Sequence, residues 1–167
     1  MDNELKITIA LIAAGAAVFG SVVSQVFLLI QGFLEKKHKK NILLREKYEC
    51  LANHVTESML WLSHIQGIQT LEQLTAHSVP TDARKSLSLA SLYFPLLRED
   101  CISYLNSLVN FHVVLISSYR HIPGVSAGAQ AVAHNKDEFL SALSRVQKSR
   151  QILDESIIEY ARKYAKA

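Results

Sequence analysis

The sequence predicts an all-α fold: an N-terminal transmembrane helix continuing into an antiparallel bundle of about four helices. Three observations predict it. Ile7 to Leu34 is a run of apolar and small residues without a charge. Beyond it, apolar residues recur three and four apart over long stretches, the period of a helix with one buried face. Nowhere does the chain show the every-second-residue alternation of a strand, an internal repeat or a low-complexity tract.

The first element is the span. A hydrocarbon core about 30 Å thick takes roughly 20 helical residues to cross, so residues 7–34 suffice with modest tilt or an overhang into the headgroups. The start, Met1-Asp2-Asn3-Glu4, is acidic, and the apolar run is too long for the ~7–15-residue core of a cleaved signal peptide. The segment is therefore expected to stay attached. It closes on Glu35-Lys36-Lys37-His38-Lys39-Lys40, followed by Arg45 and Lys47, whereas Lys6 alone precedes it. The positive-inside rule then gives a short extracytoplasmic N-terminus (1–6), the span (7–34), a basic juxtamembrane segment (35–47) and a cytoplasmic bundle (42–167).

Laid out at 100° per residue, the span has unlike sides. Ala13, Ala16, Ala17, Gly20, Ser24 and Gln31 share one; Leu11, Ile12, Val18, Phe19, Val22, Val23, Val26, Leu29, Ile30 and Phe33 occupy the other. Lipid is as apolar as leucine, so hydrophobicity does not explain the division. Small residues let helix backbones approach closely, and Ala16, Gly20 and Ser24 form a ladder with steps of four. Gln31 adds a hydrogen-bonding group worth on the order of 1 kcal/mol across an interface. Alanine and glycine are common in any membrane helix, but their segregation marks a packing face. With one span in the chain, a second copy is the simplest partner.

The remaining ~130 residues suffice for one domain with its own core. Net charge is +3, much of it in the lysine cluster. Without that cluster the domain is near neutral and lacks the basic stripe of a nucleic-acid binder. Lys36, Lys37, Lys39 and Lys40 suit anionic lipid headgroups, at about 1 kcal/mol each close to the surface. Cys50 and Cys101 stand apart, outside any Cys-x-x-Cys pair and on the reducing side of the membrane, so neither disulfide nor zinc site is expected.

From Leu34 to Gln66 there is no glycine or proline. The seam Leu44, Tyr48, Leu51, Val55, Met59, Leu62 and Ile65 makes this an amphipathic helix continuous with the span, ending between Gly67 and Ala76. His77 to Asp82 reads as a turn in which Thr81 or Asp82 caps the next helix, opening near Ala83. Pro95 should interrupt it. From Leu96 to about Arg120 a helix carries the seam Leu97, Cys101, Leu105, Leu108, His112, Leu115 and Tyr119, with a second stripe at Ile102, Val109, Val113 and Ile116. It should be the most buried element. Its charge-free stretch, residues 101–119, invites a second span, but Asn106, Asn110, His112 and several serines make that expensive, and a core helix is expected. Ile122 to Gly128 reads as a loop. Asn135 should cap a last helix from Lys136 to Tyr164, with the seam Phe139, Leu143, Val146, Leu153, Ile157, Tyr160 and Tyr164, broken by Arg150.

One string resembles catalytic chemistry. Gly124-Val125-Ser126-Ala127-Gly128 matches G-x-S-x-G, which in hydrolases presents a serine above a parallel sheet. No such sheet is expected, too little chain follows, and His134 precedes Asp137, so a helix connection accounts for the string. The seven histidines show no His-x-x-x-His spacing. His112 is expected as a hydrogen-bonded core residue, Trp61 as packing, and Arg150 as a partner of Glu57, Glu72 or Glu99 unless it snorkels to solvent. No catalytic residue, metal site or cofactor is expected.

At Ile42-Leu43-Leu44-Arg45-Glu46-Lys47-Tyr48-Glu49, after an Ala/Gly-rich span and a Lys-rich flank, the chain resembles a broad, largely uncharacterised group of bacterial proteins. These are single-pass inner-membrane proteins with an N-terminal anchor, a basic flank and a cytoplasmic helical bundle. The resemblance implies that location. At the level of architecture the chain also looks similar to effectors of toxin and phage-defence systems. The function expected is that of a membrane-anchored, non-enzymatic interaction or sensor protein that forms a homo-oligomer through its transmembrane helix, with a protein partner for the bundle. The alternative is a membrane-disrupting, pore-forming effector of a toxin or phage-defence system.

Overall fold

The computed structural model describes residues 2–77 and 80–164, and at 2, 4–6, 10, 12–14 and 164 the backbone alone. Among the described residues there are helices and no strand. They are α1 (Asp2–Gly67), α2 (Leu71–Ala76), α3 (Thr81–Tyr93), a 3-10 turn (Pro95–Leu97), α4 (Arg98–Ser118) and α5 (Ala127–Tyr164). The chain divides into two compact units, residues 1–42 and 43–167, and α1 runs through both without a break in its 66 residues. No proline intervenes in this segment and each of its glycines stands alone, so nothing in it breaks the helix.

Unit 1 is helical throughout its described residues, and from Gly15 to Gln31 every side chain is exposed. Unit 2 is an up-down-up-down bundle. Side-chain contacts give the directions. Ser58 meets Tyr104 and Trp61 meets His112, so α1 and α4 run parallel, while Tyr48 meets Phe94 at the end of α3. His54 meets Asp82, which sets α3 antiparallel to α1. On α5, Arg150 bonds to Val55 and the Tyr48 hydroxyl donates to the Ile157 carbonyl, while Ser107 and Ser149 pair across to α4. α5 therefore runs antiparallel to both. The α1 seam is buried at Tyr48, Leu51, Val55, Leu62 and Ile65, with Leu44 and Met59 half-buried. Beyond Asn135 the buried positions on α5 are Phe139, Ala142, Val146, Ser149 and Leu153, with Leu143, Ile157 and Tyr160 half-buried, and the Tyr164 side chain lies outside the described residues.

Helix boundaries differ from expectation at three places, each for a local reason. The turn falls partly on Ser78 and Val79, outside the described residues, and the cap of α3 is Pro80 rather than Thr81 or Asp82. Asp82 serves otherwise: its Oδ1 accepts from His54 Nδ1 and Lys85 Nζ, each at 3.1 Å, in a first turn where a carboxylate is favourable. At Pro95 the backbone of Phe94 leaves the helical region (φ −134, ψ 66), which proline disfavours for the residue before it, and α4 begins after one 3-10 turn. Ahead of the expected helix from Lys136, the alanine-rich stretch 127–133, itself a strong helix former, adds a helical segment, so that α5 as a whole starts at Ala127. Asn135 still breaks it, with non-helical φ −147 and ψ 67 and its amide on the Glu138 carboxylate.

α4 buries its predicted seam: Leu97, Cys101, Leu108, His112, Leu115 and Tyr119, with Leu105 half-buried. The second stripe is covered only at its ends, where Ile102 and Ile116 are half-buried. Val109 and Val113 are exposed, and the buried companions are Tyr104, Phe111, Val114 and Ser118. A helix wedged between neighbours buries one broad arc, and an apolar pattern on both flanks of a seam does not say which flank is covered. Residues Pro95–Ser118 are long and apolar enough to cross a membrane, yet their seam forms the core of unit 2.

Candidate functional site: an apolar helix with a small-residue face and a lysine exit

Ala16, Ala17, Gly20, Ser24 and Gln31 fall within about 100° of arc on α1, and all are exposed. The Ala13 side chain lies outside the described residues. A Cβ added at Gly20 would meet nothing within 4 Å, so the glycine fills no need inside its own helix. It leaves the helix surface low along this side. The opposite side is different: Leu11, Val18, Phe19 and Val22 surround an open apolar notch over Gly15. Ser21 donates to the Val18 carbonyl at 2.8 Å, satisfying its hydroxyl within the helix as an apolar solvent demands.

At the exit, Lys36, Lys37, Lys39 and Lys40 are all exposed. Lys39 Nζ lies 4.0 Å from Glu35, with both side chains largely in solvent, a pair worth little. The four lysines spread over more than one side of the helix, forming a belt.

In unit 2 the G-x-S-x-G string is a helix connection. Gly124 takes φ +73, a left-handed turn that glycine adopts without strain. Ser126 Oγ accepts from the Ala129 amide and its carbonyl from Gln130, the arrangement of an N-cap. Gly128 lets α5 approach α1, since a Cβ there would stand 3.2 Å from Gln66. His112, 4% exposed, bonds through Nε2 to the Leu74 carbonyl at 2.8 Å. Trp61 packs beside it and donates to the His77 carbonyl. Arg150 pairs not with Glu57, Glu72 or Glu99 but with Asp154, one turn on, while donating to the Val55 carbonyl and lying over the Tyr104 ring. A partner on its own helix is in place before the bundle closes. Among the described residues no three potential metal ligands converge.

Burial, with the Asp100 carboxylate alongside, pushes the Cys101 thiol up to about 12, against a smaller opposing bond from Ser86. The native thiol holds its proton between its ordinary 9.0 and about 12, where the unfolded one releases it, so this site's contribution to stability falls as pH rises through that window. With iodoacetamide at neutral pH, half-buried Cys50 is expected to react in the folded chain and Cys101 only after unfolding. Equal rates would contradict the burial of α4.

The buried Gln130 escaped the sequence reading. Its Oε1 accepts from the Arg120 amide and its Nε2 donates to the Val125 carbonyl, which ties down the loop before α5. Glutamine on a short alanine-rich helix gives no signal of that role. Comparison of the chain with protein-family models, curated proteins and solved structures finds no match in any of the three.

Proposed function

We propose that the chain is a single-pass bacterial inner-membrane protein, N-terminus outside and C-terminus cytoplasmic. It self-associates through the face Ala13, Ala16, Ala17, Gly20, Ser24 and Gln31. Residues 43–167 serve as a non-enzymatic interaction or sensor module, and the lysine belt holds anionic headgroups. One observation carries the reading: the most apolar window of α1 has mean hydropathy 1.9 and none of it is buried. In water such a surface costs roughly 25 cal/mol per Å², and in lipid it costs nothing. The structural employment of Gly124, Ser126 and Gly128 favours binding over hydrolysis. Phosphatase and fluorescent reporters fused to each end test the orientation. Phosphatase activity at the N-terminus with fluorescence at the C-terminus is expected, and the reverse contradicts it.

A second reading, a pore-forming effector, draws on Gln25 and Gln31, amides exposed within the apolar segment. Gln31 lies on the small-residue face and Gln25 about 120° from it around the helix, so a ring of helices packed through that face would hold Gln31 in the contacts between neighbours and turn Gln25 toward a wet path. Growth arrest and dye entry on overexpression favour this reading; indifferent growth favours the first.

A further inference from the structure

Unit 2 carries a groove whose lining is chemically one-sided. It lies where α4 and α5 pass antiparallel and encloses about 400 Å³, within the range of small-ligand sites. α4 contributes Ser103, Asn106, Ser107 and Asn110; α5 contributes Arg145, Lys148, Ser149 and Ile152. Both sets have the spacing i, i+3, i+4, i+7, so two facing helical rows build the groove and no loop is involved. Ser107 and Ser149 form the floor, their hydroxyls 2.7 Å apart.

Three features point to an anion. First, no carboxylate lines the groove, and among the described residues neither Arg145 nor Lys148 is in an ion pair. Arg145 reaches Ser141 Oγ at 3.2 Å through one Nη, leaving the rest of its fork to other acceptors. Second, α4 places two serines and two asparagines in a row on this side. These are indifferent helix formers, and a merely solvated face is better filled with glutamate or lysine. Third, Ser107 also donates to the Tyr104 carbonyl and Ser149 to the Val146 carbonyl. Three contacts thus draw on two hydroxyl hydrogens, so the serine floor uses both of them itself and leaves the N–H groups of Arg145, Lys148, Asn106 and Asn110 as the donors facing a ligand.

We propose that this groove binds a small phosphate-bearing anion. The Arg145 guanidinium takes two phosphate oxygens side by side, Lys148 adds a point charge, and the Asn106 and Asn110 amides donate to the remaining oxygens. Ile152 gives the ligand one apolar edge. The proposal gives the sensor reading a ligand class and rests on that reading for its purpose.

The test uses the full chain in zwitterionic detergent at constant ionic strength. It is titrated calorimetrically with inorganic pyrophosphate and, separately, with the soluble short-chain lipid dihexanoyl phosphatidic acid. Saturable binding of one ligand per chain is expected. Pyrophosphate binding assigns the site to a soluble phosphate, and binding of the lipid analogue alone assigns it to a headgroup. The double variant Asn106→Ala, Asn110→Ala keeps the net charge and favours the helix, yet should bind at least tenfold more weakly. Arg145→Gln with Lys148→Gln should do the same, whereas Arg84→Gln with Lys136→Gln, an equal loss of charge elsewhere, should leave affinity unchanged. No saturation with either probe, or equal weakening in all three variants, overturns the proposal. Crosslinking of the same samples separates the two readings: a monomeric chain that still binds pyrophosphate refutes the oligomeric anchor and leaves the groove standing.

Discussion

Replacing Gly20 with isoleucine is expected to weaken self-association of the full chain in membranes at least tenfold, equivalent to about 1.4 kcal/mol. The branched side chain would stand in the path along which a second backbone approaches, forfeiting close packing where no hydrophobic effect exists to replace it. Helix integrity is not in question, since a Cβ at Gly20 meets nothing within 4 Å and the helix continues far on either side. Gly15→Ile is the matched control. It has the same open surroundings but lies among Leu11, Val18 and Val22, so it should leave association within a factor of two. Energy transfer between labelled copies in vesicles reads both. Equal loss in the two variants, or none in either, would refute the small-residue face. If the pore reading holds, Gly20→Ile also relieves growth arrest.

Phe111→Ala is expected to destabilise unit 2 by about 3–5 kcal/mol, a large share of the 5–15 kcal/mol typical of a domain. Phe111 is fully buried on the inner side of α4, with its ring 5.4 Å from that of Phe139 on α5. Truncation leaves a cavity in a close-packed interior and removes an aromatic pair worth roughly 0.5–1.5 kcal/mol beyond its area. Val113→Ala, two residues on, removes an exposed side chain and should fall within about 0.5 kcal/mol of wild type. Urea unfolding of the detergent-solubilised chain, followed by the fluorescence of Trp61, its one tryptophan, gives both values. Equal effects would mean that α4 faces its neighbours by a different arc.

The contrast between these positions marks how far the fold was legible. Seams such as Tyr48, Leu51 and Val55 could be read because three- and four-residue spacing maps directly onto one helical face. The companion arc of α4 could not, because Val113 and Val114 carry the same side chain and only the placement of neighbouring helices tells them apart. The helical segment ahead of Asn135 went unread for a related reason. Glycine and proline near residue 123 signal a loop, while the helix-forming alanines after Ser126 signal the opposite, and propensity won. The small-residue side of α1 and its four exposed lysines could be laid out from sequence alone, since they depend on residue size and charge along a single helix. The groove between α4 and α5 needed the fold. Asn106 and Asn110 stood out as costly in a membrane, but nothing in the sequence brings Arg145 and Lys148 opposite them.

The account rests on where the first thirty-odd residues reside, and extraction of membranes from cells expressing the full chain tests that directly. After washing with alkaline carbonate, which strips peripheral proteins, the chain should remain in the pellet and enter solution only with detergent. A chain released by carbonate, or purified without detergent as a soluble monomer, would mean that residues 7–34 find their apolar surroundings within protein, and both the anchor and its oligomer would have to be abandoned.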